Sequence, residues 1–388
     1  MIQPKNFCVP TILSDHNCFT LPNIKLVAID IGYSGVKCYT DKLHACFPSL
    51  ARPVDATALI GEPNPDDILY RDENGSTWLV GASALREISL QDTNDSERTL
   101  YSRQRYGSEM FKVIFRVGLG LCLMGEKEIA GGGGRPIFLQ TGLPPAYIQS
   151  DRQDLVEALS GIHLFSVRFG YKQWKEFCVE INPDHIDVMP QPVGSLFSAS
   201  INDDGKKVPE AKDYFKTSIL GFDPGFGTAD TFVISNGTIK AYDSFDNLGM
   251  KAVYKCLSDQ IYKTYGVYIP THAIQKVLID GYVQKLDKKN MTTSDIPIVE
   301  MLEQCNRWAC EQAIEKIKVT YDYLREFKYL LVAGGTGEAW IEYINQHFSG
   351  MSKLKIILGN QLNPDLPLIF SNVRGYYVKQ AGVLRGKI

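Results

Sequence analysis

The chain has 388 residues, of which 44% are hydrophobic and 22% charged, with a net charge of −3. These are the proportions of a folded globular protein, longer than one core usually fills, so two domains or two lobes on a common plan are expected. The near-neutral charge argues against broad non-specific nucleic-acid binding and leaves room for a local basic patch, and no apolar run has the length of a membrane span. The stretch from Met1 to Phe19 has neither a basic n-region before a long apolar run nor a small-residue cleavage site, so a cytoplasmic protein is expected. Nine cysteines are spread along the chain without a CxxC pair, which points to buried free thiols and away from zinc or disulfides.

Residues 1–22 carry Pro4, Pro10 and Pro22 with little periodicity and read as an extension before the first core strand. The apolar run Ile24–Ile29 is a buried strand ending in Asp30, and the turn after it contains Gly32, Gly35 and Lys37. Strands continue to Pro53 as a meander. From Arg52 to Arg105 the composition shifts towards Asp, Asn, Pro and Arg, with a hairpin over Leu69–Val80 turning at Glu73, Asn74 and Gly75, the pattern of an inserted surface subdomain. Phe111, Ile114, Phe115, Leu119 and Leu123 fall on helical spacing within Ser108–Leu123. Gly131–Gly134 lacks the GK[ST] ending of a P-loop and reads as a plain linker.

Strands follow at Pro136–Tyr147, His163–Phe169, Lys175–Ile181 and Ile186–Met189, with a helix at Gln149–Leu159. A small-residue helix opens after Pro190. The segment Ser218–Phe245 then repeats the plan of the first strand and turn: strand, Asp223, Gly-rich turn, strand, a hairpin at Asn236–Gly237, strand. Helices are expected over Asn247–Val267 and Ile298–Arg325. The strand Phe327–Val332 runs into Gly334, Gly335, Thr336, Gly337 and Glu338 at the head of a helix. Leu354–Leu358 is a strand and Asn372–Leu384 a closing helix.

Two strand-turn-strand units, each with an aspartate at the end of its first strand, suit a nucleoside triphosphate held between two lobes. Gly-rich turns let backbone N–H groups approach phosphate oxygens. The expected cradle is Gly32, Tyr33, Ser34 and Gly35 with Lys37 in the first turn, and Gly225, Phe226, Gly227 and Thr228 in the second. Asp30 and Asp223 would face each other and hold Mg²⁺, largely through water, because magnesium gives up its hydration reluctantly. Gly334, Gly335, Thr336 and Gly337 form a third close-approach loop, expected at the adenosine end.

Six motifs in order, Asp30-x-Gly-x-x-Gly-x-Lys37, Thr141-Gly-Leu-Pro144, Pro190-Gln-Pro-Val-Gly194, Asp223-x-Gly-x-Gly-Thr-x-Asp230, Gly334-Gly-Thr-Gly337 and Asn372-x-Arg-Gly-Tyr376, resemble the actin superfamily. Within it they are most similar to the plasmid-segregation ParM (StbA) group of bacterial and archaeal actin-like proteins. The resemblance runs from Ile24 to the C-terminus. It implies an α/β, duplicated ribonuclease H-like fold of two lobes closing on a nucleotide cleft. Lobe I would span 23–194, with the insert at about 52–105 and the closing helix 372–388; lobe II would span 195–371.

By this resemblance the chain is an NTPase that binds ATP or GTP with Mg²⁺, self-associates into filaments, and separates plasmid copies through a DNA-binding adaptor, without itself binding DNA or membrane. Asp30 and Asp223 take the metal positions, Asp223 also a catalytic one. Gln191 takes the position that orients the attacking water, in line with phosphoryl transfer's need for placement more than covalent help. Pro224 and Phe226 depart from the smaller or polar residues common in relatives, which leaves phosphate contact there to backbone N–H groups and Thr228. Lys276 and Glu303 are candidates for ribose binding. Two alternatives are a small-molecule kinase of the same superfamily, which would need an additional acid as base, and a scaffold that binds nucleotide without hydrolysing it.

Overall fold

The computed structural model describes residues 3–58, 61–88, 103–126 and 134–386. The glycine linker expected at Gly131–Gly134 lies, but for Gly134, outside them, as does part of the insert expected over Arg52–Arg105.

Two sheets carry the architecture. The first runs in the order β1 (Ile12–Asp15), β4 (Leu43–Pro48), β3 (Gly35–Tyr39), β2 (Lys25–Ile31), β8 (Ile137–Leu143) and β11 (Ile186–Pro190). The second runs β14 (Thr238–Asp246), β13 (Thr228–Ser235), β12 (Ile219–Pro224), β17 (Tyr329–Val332) and β18 (Lys355–Leu358). Without β1 the two are the same: a three-stranded antiparallel meander whose first strand, β2 or β12, is followed laterally by two parallel strands. The largely apolar character of β2 and β12 follows from this central position, where every residue of each is buried.

A smaller sheet, β10 (Lys175–Ile181), β9 (Gly161–Phe169), β6 (Ile68–Asp72), β7 (Thr77–Val80) and β5 (Ala51–Val54), stands beside the first. The segment read as an insert thus supplies three strands, and 161–181 supplies the other two. On β9 and β10 buried and more exposed residues alternate, with Phe165, Val167, Phe177 and Val179 inward, because only one face of this sheet is covered. The helix Glu109–Cys122 packs under it, capped by Ser108, whose Oγ accepts the Phe111 N–H at 3.2 Å.

Three expectations are corrected. Residues 12–15 are not a loose extension: Ile12–Asp15 pair antiparallel with Leu43–Cys46 and add an edge strand to the first sheet. The helix expected over Ile298–Arg325 covers Val299–Thr320 and stops where Asp322, Tyr323 and Leu324 take φ of 45°, 55° and 57°, a left-handed run that no helix continues through. Cys256 and Cys305 are not free; they form a disulfide between the helices Met250–Tyr265 and Val299–Thr320, with Cα atoms 5.6 Å apart. The pairing comes from helix packing across 49 residues of sequence, which spacing alone does not reveal. Among the described residues no helix is long and apolar enough to cross a membrane.

Between the two sheets lie the helices Val193–Ser200 and Ser371–Leu384. They cross in backbone contact: a Cβ on Gly375 would stand 1.7 Å from the Gly194 carbonyl oxygen. The core around them draws Leu26, Ala28 and Tyr39 from the first sheet and Ile219, Phe232 and Leu331 from the second. Arg374, fully buried, pins the crossing by donating from Nη1 to the Ser198 carbonyl at 2.7 Å. Its Nη2 donates to the Ile201 carbonyl at 2.9 Å and to Asp203 Oδ1 at 2.7 Å.

Candidate nucleotide site

The meander-to-meander symmetry brings the ends of β2 and β12 to one cavity of about 1190 Å³. In both copies the aspartate is the penultimate residue of the strand and a turn begins two residues on. The Gly32 N–H donates to the Gly35 carbonyl at 3.1 Å, and the Gly225 N–H donates to the Thr228 carbonyl at 2.8 Å. The tips Tyr33–Ser34 and Phe226–Gly227 line the cavity. The second turn is seated on the N-terminus of helix Met250–Tyr265. Met250 and Lys251 donate their N–H groups to the Gly225 and Phe226 carbonyls at 3.0 and 2.8 Å, and Asn247 donates to the Gly227 carbonyl at 2.9 Å. Those carbonyls are therefore held away from the cavity. At Gly227 a Cβ would meet nothing within 4 Å, so the backbone there is open to a ligand.

Charge in the site is concentrated and buried. Lys37 Nζ stands 3.3 Å from Asp30 Oδ2. Burial works against its ammonium, but the attraction and hydrogen bond of Asp30, with Cys46 and Asp223 adding to them, together raise its pKa. The side-chain amide of Gln191 donates from Nε2 to Asp30 Oδ1 at 2.8 Å. Across the cavity, Asn372 Nδ2 donates to Asp223 Oδ2 at 2.6 Å. Burial, with Asp30 opposite, pushes the Asp223 carboxyl up to about 6, against the pull of the Asn372 bond. Asp230 follows on β13, accepting from Ser244 Oγ at 2.6 Å and from Thr228 Oγ1 at 3.4 Å. Burial raises it to about 7, with the Asp223 charge adding to the rise.

Most of the expected residues meet here. Asp30, Gly32, Tyr33, Ser34, Lys37, Gln191, Asp223, Gly225, Phe226, Gly227, Thr228, Gly334, Gly335 and Thr336 all line the cavity. Gly35 and Gly337 do not. Gly35 is covered by Val9, and a Cβ on Gly337 would press on Val332 Cγ1 at 3.0 Å, so Gly337 serves helix-to-strand packing. The Phe226 ring turns into the core edge-to-face on Tyr254, with centroids 5.4 Å apart. Thr336 Oγ1 donates to the Gly225 carbonyl at 2.8 Å and ties the third loop to the second turn. Gly334 has φ +76°, and a Cβ there would stand 2.4 Å from Asp223 Oδ1, so this loop lies against the second carboxylate. Of the ribose candidates, Glu303 lines the cavity and Lys276 does not; the residue before it in the chain, Gln275, does.

Asp230 and Asn372 are cavity residues that received no role from the sequence, although both stand in the quoted motifs. Among the described residues no three His, Cys, Asp or Glu side chains converge as a ready-made metal cage. Two opposed carboxylates and a third nearby, all oxygen donors, fit an ion that keeps most of its water and takes the rest of its shell from phosphate, as Mg²⁺ does.

Residues 28–194 match the sequence family described as "Actin like proteins N terminal domain". With the duplicated sheets and the cleft between them, this gives the chain an actin-like fold. Among solved structures it is similar to the pCBH ParM non-polymerisable quadruple mutant, at 20% identity and a TM-score of 0.68, covering 93% of this chain and 100% of that one. A 15-stranded ParM filament from Clostridium botulinum matches at 20% identity and 0.67, over 92% and 99% of the two chains. Ta0583, an archaeal actin homolog in complex with ADP, matches at 15% identity and 0.58, again over 92% and 99%. No protein with a curated description matches the sequence.

Proposed function

We propose that the chain is a Mg²⁺-dependent NTPase that assembles into filaments, hydrolysing ATP or GTP in the cavity between its lobes. The observation that carries this is the pair of like-built turns whose carboxylates, Asp30 and Asp223, line one cavity with Lys37 and Gln191. Bound Mg²⁺ would draw charge from the β and γ phosphates. Lys37 would bind a phosphate oxygen, and the tips of the two turns would cradle the rest. Gln191, its Nε2 held by Asp30, offers its amide oxygen to a water and so places the nucleophile.

Filament formation has the support of the fold shared with a ParM filament, and nucleotide use that of the fold shared with an ADP-bound archaeal homolog. A cytoplasmic role in plasmid partition through a DNA-binding adaptor extends the same likeness. Sedimentation and phosphate release with ATP, GTP and their non-hydrolysable analogues test the reading, and absence of a pellet under every nucleotide rejects it. Asp223→Ala should abolish phosphate release and largely spare assembly, because Asp223 faces metal and water and lies inside the cleft. Equal phosphate release by the variant would remove Asp223 from the chemistry.

One observation favours the kinase alternative. Asp230 supplies the additional buried acid such an enzyme needs, and its raised pKa suits a base near neutrality. Phosphate release with water as the sole acceptor decides against that reading.

A further inference from the structure

The first described residues cross the cavity from one lobe to the other. Their C-terminal end is fixed in the first sheet by β1. Just before it, Val9 lies directly on the first phosphate turn, where a Cβ on Gly35 would stand 2.6 Å from Val9 Cγ1. The chain then reaches the second lobe. Cys8 Sγ is 3.6 Å from the Gln275 carbonyl, and the Phe7 carbonyl accepts from Tyr254 Oη at 2.7 Å. The Phe7 side chain is buried, 7% exposed, in the same core cluster as Met250, Tyr254 and Ile274. Tyr254 in turn packs edge-to-face on Phe226, the ring of the second phosphate turn.

An unbroken line of contact therefore joins the two turns: Gly35, Val9, Cys8, Phe7, Tyr254, Phe226. It is separate from the crossing of Gly194 and Gly375, and Lys5, Phe7 and Val9 form part of the cavity wall. Two lobes joined at one place only can swing apart about that joint. Joined at two, they can open only by breaking one of the two. Opening here would pull Phe7 from its core, break the bond from Tyr254, or lift Val9 from Gly35. The cavity keeps its volume with these residues in place, so they enclose a ligand and do not displace it.

We propose that residues 3–15 are a strap that holds the two phosphate turns at one separation and controls the release of bound nucleotide. Val9 and Phe7 are its positioning residues, one on each lobe. The proposal rests on the nucleotide reading for its second half only, because the strap's hold on the lobes exists without ligand.

The test uses the full chain with Phe7→Ala, and separately Tyr254→Phe, which removes the hydroxyl bonded to the strap and keeps the ring on Phe226. Release of a fluorescent ATP analogue is followed by chase with unlabelled ATP, and the nucleotide-free monomer is measured by small-angle X-ray scattering. Phe7→Ala should release the analogue at least about tenfold faster and Tyr254→Phe a few-fold faster, since each loosens only the closed arrangement. The radius of gyration of the nucleotide-free Phe7→Ala protein should rise. If Phe7→Ala does not fold, Tyr254→Phe carries the same two measurements. In a protein that binds the analogue, unchanged release by the variants overturns the strap and leaves the nucleotide reading standing. In a protein that binds neither ATP nor GTP, the nucleotide reading fails; a larger radius in the variant then upholds the strap, and an unchanged radius overturns it.

Discussion

Replacing Asp230 by Asn should stabilise the nucleotide-free protein at pH 8 and do much less at pH 5. The carboxyl is raised from the ordinary 3.8 to about 7, first by burial. A carboxyl with a raised folded-state pKa holds its proton longer in the native state than in the unfolded one, so stability falls as pH rises between those two values. Each pH unit in that window is worth about 1.4 kcal/mol, so the wild type loses about 3 kcal/mol through this group between pH 5 and pH 8. Asn loses none of it. It is close to isosteric, its Oδ1 can still accept from Ser244 Oγ, and its Nδ2 can donate to the Thr228 hydroxyl that now donates to Asp230. At the usual unfolding entropy per residue, 3 kcal/mol corresponds to roughly 4 °C in a chain of this length. Thermal melts of both proteins without nucleotide, at the two pH values, give the comparison. A variant advantage that is the same at pH 5 and pH 8, or a variant less stable than wild type at pH 8, would refute the assignment of a buried, proton-holding carboxyl.

Three further outcomes follow from the same geometry. Gln191→Ala should slow phosphate release by about a hundredfold and leave nucleotide affinity nearly intact, because the lost amide places water and not phosphate; unchanged turnover would return Gln191 to a structural role at Asp30. Gly334→Ala should cost at least about 2 kcal/mol in a denaturant titration and weaken nucleotide binding, since φ is +76° and the new methyl carbon would fall 2.4 Å from Asp223 Oδ1. A fully stable Gly334→Ala protein would show that this loop relaxes away from Asp223. In the nucleotide-free protein the Asp223 carboxyl, raised to about 6, should lose its proton close to pH 6 by NMR, and Mg²⁺ with nucleotide should move that titration lower, the sign expected of an added cation.

Much of this site could be read from the chain because each half repeats a local pattern: an apolar strand, a carboxylate at its end, a glycine two residues later. Local patterns survive in sequence since each residue's neighbours in the chain are also its neighbours in the turn. The strand positions, the turn residues and the cleft followed from that. What was not legible depends on contacts between distant segments. The edge strand Ile12–Asp15 looks aperiodic because only its partner Leu43–Cys46 gives it a face, and the Cys256–Cys305 pair exists only through the packing of two helices. Asp230 was in view, but its raised pKa comes from burial beside Asp223, a property of the folded site. The end of the helix at Thr320 was hidden for another reason. Tyr321–Arg325 keeps helical composition, and the backbone turns left-handed there where the sequence has no glycine.

The chain does carry a signal for Asn372. Gln191-Pro-Val-Gly194 and Asn372-Val-Arg-Gly375 share a pattern, an amide side chain three residues before a glycine. The two glycines are the crossing point of the interlobe helices, and the two amides are the donors to the two carboxylates: Gln191 to Asp30 at 2.8 Å, Asn372 to Asp223 at 2.6 Å. The duplication thus extends beyond the turns to the parts that hold them. Asn372 also accepts the Ser195 N–H on its Oδ1 at 3.1 Å, so one side chain links the first interlobe helix to the carboxylate of the second lobe. The Gly142 Cβ position is filled by Tyr376 Oη, one residue past Gly375, which sets the strand carrying the Thr-Gly-Leu-Pro motif against the same crossing. A rotation of the lobes about Gly194 and Gly375 must therefore change the bond from Asn372 to Asp223, whereas the bond from Gln191 to Asp30 stays within the first lobe. Lobe position and the state of the site are coupled at this crossing through Asn372, held three residues from the pivot glycine of its own helix.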